Sequence, residues 1–229
     1  MASSRTSGAR SGRPPVTSRE QILAAARRLI DSSGWENLTV RGLAAELGIG
    51  TTTLYHHVRD REDLLVQLIS DYAAQISRPE LPDDPNERIV VATTAMHDGL
   101  AALPWAVEVL TVDGFMGRMG DTAVWLVEVI VVAAVEAGCG HEQAVVLFRN
   151  LWYYTVGEIL VRARSDSGSS IDRRRLLADE VVRFGSRDAT ALPTLAAIGD
   201  RWPEIAARDD FAGGVRAFVA GMLGAVRGE

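Results

Sequence analysis

From Thr17 onward apolar residues recur at helical spacing, and the recurrence divides the chain into short segments. Ile22, Ala25, Ala26, Leu29 and Ile30 share one side of a first helix that begins at a Thr17/Glu20 capping signature and ends at Gly34. Val40, Leu43, Ala44 and Leu47 fall at i, i+3, i+4 and i+7, so a second short helix follows. Gly48 closes it, because a glycine just past a periodic run takes the left-handed conformation that side chains resist, and Gly50 allows a new start two residues on. The next helix, Thr51 to Val58, has only Leu54 and Val58 to bury. Thr51, Thr52, Tyr55, His56 and His57 are left with no core to fill, which is the pattern of a helix made to touch something outside the fold. Asp60 and Asp63 cap a fourth helix, whose stripe is Leu65, Leu68, Ile69 and Tyr72.

The segment 78–86, RPELPDDPN, breaks the periodicity with three prolines and a run of acids and marks a domain boundary. Beyond it the pattern is helical throughout, with no period-two strands. The predicted helices are 87–102, 104–111, 121–137, 141–164, 173–185, a segment near 190–206, and 210–227. Gly114, Gly117 and Gly120 loosen one connection, and SDSGSS at 165–170 reads as a flexible surface loop. The fold class is all-α. A disordered arm (1–16) precedes a small helical domain (17–78), and a linker (79–86) leads to a larger one (87–229).

Charge refines this division. The net charge is −6, which argues against a chain coated for nonspecific nucleic-acid binding. Residues 1–78, however, carry ten Arg against eight acids, so the basic share sits with the small domain. All 24 basic residues are Arg, for which GC-rich coding is a sufficient explanation. Cys139 is the single cysteine, so no intrachain disulfide forms and a reducing cytoplasm is the expected setting. The longest apolar run, 122–135, contains Glu128 and falls short of the roughly 20 residues a membrane span needs. No apolar h-region of a secretory signal appears near Met1.

The order Gly34-Trp35, Thr39-Val40, Leu43-Ala44, Leu47-Gly48-Ile49, Leu54-Tyr55-His56-His57, Arg61 and Leu64-Leu65 resembles the amino-terminal domain of the TetR family of bacterial transcriptional regulators. The resemblance covers roughly residues 17–75. It implies a helix-turn-helix DNA-binding domain that lays its second helix in the major groove. It also implies a carboxy-terminal domain for effector binding and dimerisation. LPTLAAIGDRWPEIAARDDF (192–211) is similar to regulators of the tetracycline-repressor type.

By that resemblance, Arg41 reaches a base or phosphate, Tyr55 and His56 face the groove or backbone, and His57 and Arg61 contact phosphate. Thr51 and Thr52 stand at the start of the reading helix, where hydroxyls and free N–H groups point outward. Arg5, Arg10 and Arg13 in the arm are further basic side chains within reach of DNA. His56 and His57 do not form a metal site, because helix neighbours point about 100 degrees apart. No metal-ligating, phosphate-loop or nucleophile-elbow spacing is present, so no cofactor and no enzymatic activity are expected.

For the larger domain, the helix at 121–137 is apolar on nearly every side and is expected to be buried, with Glu128 in its middle needing a partner. His97, Asp113, Met116, Met119, Trp125, Glu128, Trp152, Tyr153 and Tyr154 are the candidate ligand-pocket residues, combining aromatic walls with few polar anchors. In the last helix, Phe211, Val215, Phe218 and Met222 make a stripe beside Gly214 and Gly221. The resemblance implies that this helix and the one at 141–164 pair with their copies in a homodimer. The expected function is an effector-responsive repressor on an inverted-repeat operator in double-stranded DNA. An activator or corepressor-dependent regulator of the same fold, or a helical small-molecule-binding protein that has lost DNA binding, are the alternatives.

Overall fold

A computed structural model describes residues 17–112, 116–167, 188–208 and 210–227. Every regular element among them is helical. Two compact units are resolved, 1–68 and 69–229, with the division falling inside a helix, between Leu68 and Ile69. The arm 1–16, the predicted helix 173–185 and residues 168–170 of the predicted loop lie outside the described residues.

In the first unit, α1 spans Arg19–Ser33. Its cap is one residue later than the sequence signature suggests. Ser18 Oγ accepts from Gln21 N–H at 3.2 Å while Gln21 Oε1 accepts from Ser18 N–H at 3.0 Å, a reciprocal box that Thr17 and Glu20 do not make. Gly34, at φ +84°, ends α1 with its N–H on the Ile30 carbonyl. A single 3₁₀ turn, Trp35–Asn37, leads to α2, Val40–Glu46, capped by Thr39. Then come α3, Thr51–Tyr55, and α4, Arg61–Gln75, which Asp60 starts by accepting from the Asp63 N–H at 2.7 Å. Ile22, Leu38, Leu43, Leu54, Leu64 and Leu68 are all essentially fully buried, so the short helices share one core although none is long enough to be stable alone.

The second unit holds α5 (Pro85–Ala101), α6 (Pro104–Leu110), α7 (Asp121–Glu136), α8 (His141–Ser167) and the last helix. The segment near 190–206 is not one helix. It divides into α9 (Pro193–Ile198), a 3₁₀ turn and α10 (Trp202–Ala206), because Gly199 at φ +58° and Pro203 interrupt it. The last helix, α11, is Phe211–Arg227. Helix α8 runs past the predicted end, carrying Ser165, Asp166 and Ser167 in helical conformation.

The core of this unit lies among α5, α7, α8 and α11, with Ile89, Ile130, Leu147, Leu151 and Val215 almost wholly excluded from solvent. Polar clasps on its outside tie the helices together. Arg88 donates to Glu136 at 2.6 Å and also to the carbonyls of Pro82 and Asp83, at 3.0 and 2.7 Å. Arg216 forms a two-pronged pair with Glu87, both contacts at 2.9 Å, and this hydrogen bond holds the Glu87 carboxyl below its ordinary value of 4.5.

Candidate nucleic-acid interface and effector cavity

The corner between α2 and α3 is built from backbone bonds. Gly48, at φ +65°, donates to Ala45 O at 3.1 Å, and Ile49 reaches back to Ala44 O at 3.0 Å, so the chain turns within three residues. Gly50 then caps α3 from extended backbone, and its carbonyl accepts from Thr53 and Leu54. Leu54 and Val58 are buried and anchor this stretch from beneath. Thr51, Thr52 and His56 are exposed, Tyr55 is 54 % exposed, and Arg41 is exposed on α2. Helix α3 is shorter than expected. His56 closes it and His57 lies in the following turn, half-buried, with its carbonyl accepting from Gln67 Nε2 at 3.1 Å. Thr53 and Arg59, which sequence reasoning passed over, are exposed on the same stretch. Three successive threonines after Gly50 were the available signal for the first.

Arg61, a residue expected at a phosphate, has partners within its own unit. Its Nε donates to the Leu38 carbonyl at 2.8 Å, a second guanidinium nitrogen donates to the Trp35 carbonyl at 2.7 Å, and the cation lies 5.1 Å from the centre of the Trp35 ring. The side chain is turned inward onto the Leu38 carbonyl and onto the Trp35 carbonyl, which also accepts from the Leu38 N–H at 3.2 Å. It clamps the loop between α1 and α2 to the start of α4.

In the second unit a cavity opening to solvent, about 880 Å³ of free space with open solvent included, is walled by Ile69, Ala73 and Ala74 of α4, Ile76 to Pro79 after it, Met96 and Leu100 of α5, Leu110, Met119, and Val124 to Val127 of α7, with Trp152 of α8. Gly99 is a notch in α5. A Cβ there would collide with Ile76 Cδ1, so the missing side chain lets that wall close. The Arg78 guanidinium lies 4.5 Å from the Trp125 ring centre, at the mouth.

Of the ligand candidates, Trp125 and Trp152 line this cavity, as does Met119. His97 does not. It is buried with Nδ1 3.0 Å from Asp98 and Nε2 2.6 Å from Glu158, and its ring stacks on Phe211 at 4.0 Å, so its polar atoms are consumed in joining α5 to α8 and α11. Arg162 also pairs with Glu158. Glu128 is exposed, and Val132 one turn on is 40 % exposed, so α7 is not buried on nearly every side and Glu128 needs no internal partner. Tyr153 is 63 % exposed on the outside of α8, and Tyr154 stacks on Phe211 at 5.1 Å. Asp113 lies outside the described residues, as does the side chain of Met116.

The last helix also has two sides. Phe211, Val215, Val219 and Leu223 pack into this chain's own core, which removes Phe211 and Val215 from the expected dimer contact. Gly214 lies under the Tyr154 hydroxyl, where a Cβ would collide. Phe218, Gly221 and part of Met222 look outward, and on α8 so do Val146, Tyr153, Gly157 and Val161.

No helix among the described residues is long and apolar enough to cross a membrane. Residues 22–68 match the family model for bacterial regulatory proteins of the tetR family. An uncharacterised HTH-type transcriptional regulator of Mycobacterium tuberculosis is 37 % identical over 70 residues, 29 % of this chain and 32 % of that one. The HTH-type transcriptional repressor AcnR of Corynebacterium efficiens is 38 % identical over 66 residues, 29 % of this chain and 35 % of that one. The matched stretch therefore spans about a third of the length of these relatives. Among solved structures, ActR of Streptomyces coelicolor in complex with actinorhodin shares the fold with a TM-score of 0.69 at 21 % identity, over 91 % of this chain and 98 % of that one. A TetR variant of Acinetobacter baumannii in complex with minocycline does so with a TM-score of 0.60 at 20 % identity, over the same shares. The helix-turn-helix unit, residues 22–68, is thus matched by the model of the tetR family of bacterial regulatory proteins, and the fold is shared with these solved structures along most of the chain.

Proposed function

We propose that the protein is a homodimeric transcriptional repressor that binds an inverted-repeat operator in double-stranded DNA and is released from it by a small molecule. The observation that carries this reading is α3 itself. A five-residue helix that buries only Leu54 and presents Thr51, Thr52 and Tyr55 to solvent has no use inside the fold, and a glycine corner sets it at the surface. Thr51, Thr52, Tyr55 and His56 are assigned to base edges and backbone, with Arg41 and His57 beside them. The first compact unit, up to Leu68, is assigned as the reading head, ten residues short of the boundary expected from the sequence, and the second, from Ile69, as the effector and dimerisation domain. The outward apolar residues of α8 and α11, Tyr153, Val161 and Phe218 above all, are assigned to a second copy of the chain.

The cavity is assigned to the effector. Its wall includes the carboxy-terminal turns of α4, the helix that starts at Arg61, so an occupant acts directly on a helix that belongs to the reading head at its other end. For release, the occupant must bind the DNA-incompetent state more tightly, and a coupling of about 1–3 kcal/mol changes DNA affinity roughly 5 to 150-fold. The similarity to AcnR, a repressor, and to folds solved with actinorhodin and minocycline supports the assignment. The test is fluorescence anisotropy of the full chain against duplexes tiled across the DNA upstream of its own gene, with a scrambled duplex at the same salt. One tile bound tightly by two protomers is the expected result. Equal, weak and salt-sensitive binding to every tile, the scrambled one included, would refute operator recognition there.

A further inference from the structure

We infer that the molecule taken by the cavity is a flat aromatic acid, with its rings against the tryptophan-lined wall and its carboxylate on Arg78; the inference rests on the reading of this cavity as a ligand site. The walls are hydrocarbon and aromatic almost throughout. Among the described lining residues, Ser77, Arg78 and the indole N–H groups of Trp125 and Trp152 are the polar side-chain groups, and Arg78 alone carries a charge. Trp125 and Trp152, from α7 and α8, supply two aromatic surfaces, and Met96 and Met119 supply adaptable ones. Such walls favour a ring system over a flexible polar chain, because they offer few partners for interior hydroxyls or amides.

Arg78 sets the charge of the guest. Among the described residues no carboxylate pairs with it, although acids outnumber basic residues in the chain by 30 to 24. Its cation rests instead on the face of Trp125 at 4.5 Å. A ring face takes up none of the guanidinium N–H donors, and a carboxylate accepts two of them side by side. A guest stacked on Trp125 or Trp152 would present its ring to the wall and its acid to those donors. An ammonium-bearing guest of the same shape would meet a like charge. Arg78 follows the last residue of α4, Gln75, by three positions, so a guest held by it also fixes the chain immediately after that helix.

The experiment uses three probes of one shape: anthracene-2-carboxylic acid, its carboxamide, and 2-aminomethylanthracene. Binding to the full chain is read from quenching of tryptophan fluorescence, for the wild type and for Arg78→Gln and Arg78→Lys. Arg78 is exposed, its contact with the Trp125 ring is what the variants alter, and unchanged circular dichroism checks that they fold. The wild type should bind the acid at least about 10-fold more tightly than the amide and bind the amine most weakly. Arg78→Gln should erase the preference for the acid while leaving amide affinity unchanged, and Arg78→Lys should restore part of it. Equal binding of acid and amide, failure of both to bind, or an acid preference that survives Arg78→Gln would overturn the inference. The acid is then added to the protein on operator DNA. Arg78-dependent binding that leaves DNA affinity unchanged would preserve the ligand chemistry and refute the effector role of the cavity, so the two failures are distinct.

Discussion

Replacing Arg61 separates two roles that the same residue type can serve on a DNA-binding domain. In the structure its guanidinium holds the carbonyls of Leu38 and Trp35 and covers the Trp35 ring. A hydrogen bond from a charged donor contributes about 1.5–3 kcal/mol and an exposed cation–π contact about 0.5–1 kcal/mol. The carbonyls are only part-buried, so water recovers some of the loss. The expected cost of Arg61→Ala is about 2–4 kcal/mol, and of Arg61→Lys, which can serve one carbonyl but not two, about half as much. Amide hydrogen exchange across residues 35–68 measures this directly, because it reports opening of that stretch apart from the rest of the chain. Binding to DNA should weaken without a change in the slope of affinity against salt, since no phosphate contact has been lost. If Arg61→Ala leaves exchange unchanged while the salt slope flattens by about one per protomer, Arg61 is a phosphate ligand and the clamp is wrong.

Gly48→Ala should destabilise the corner by about 1–2 kcal/mol, measured by urea unfolding; nothing lies within 4 Å of the added Cβ, so the whole loss comes from the left-handed backbone at φ +65°. Glu87 is held below its ordinary value by Arg216, so its contribution to stability is complete above the unfolded value and is lost as pH falls through the lowered folded one. Thermal unfolding from about pH 5 to pH 3 should therefore be less pH-dependent in Glu87→Gln than in the wild type, and an unchanged acid limb would refute the pairing. Tyr153→Arg with Phe218→Arg should yield a folded monomer, raising the dimer dissociation constant at least about 100-fold in sedimentation equilibrium. An intact dimer would show that these exposed side chains are not its seam.

The sequence makes the small domain legible because each of its helices is short and carries its own punctuation. Gly34, Gly48, Gly50 and Asp60 mark ends that the structure places at or beside those residues, and the pairing of Leu54 with Val58 identifies which side of α3 faces inward. In the larger domain the same cues place α5, α6, α7 and α11 to within two residues, but miss the break at Gly199 and the last residues of α8. Orientation around a helix does not follow from such cues. Helix α7 is apolar on most sides, and nothing local says that the side holding Glu128 and Val132 faces solvent. His97 has the composition of a ligand group, yet its partner Glu158 is 61 positions away and invisible to any local pattern. Helix α11 has two apolar sides, and only packing decides that Phe211 and Val215 go inward while Phe218 goes out. Arg78 escaped notice because it opens a proline-rich segment that reads as a spacer.

That segment matters to anyone who would build hybrid regulators by exchanging reading heads. Its prolines invite a crossover between 79 and 86, where a sequence comparison would place the seam. A cut there would part Arg88 from the Pro82 and Asp83 carbonyls that it holds and would strip the cavity of Ile76 and Arg78. The joint that leaves both compact units whole lies earlier, in mid-helix, between Leu68 and Ile69. Transplants made at that point should carry their sensing chemistry with them, whereas transplants made at the prolines should fold and yet respond to nothing.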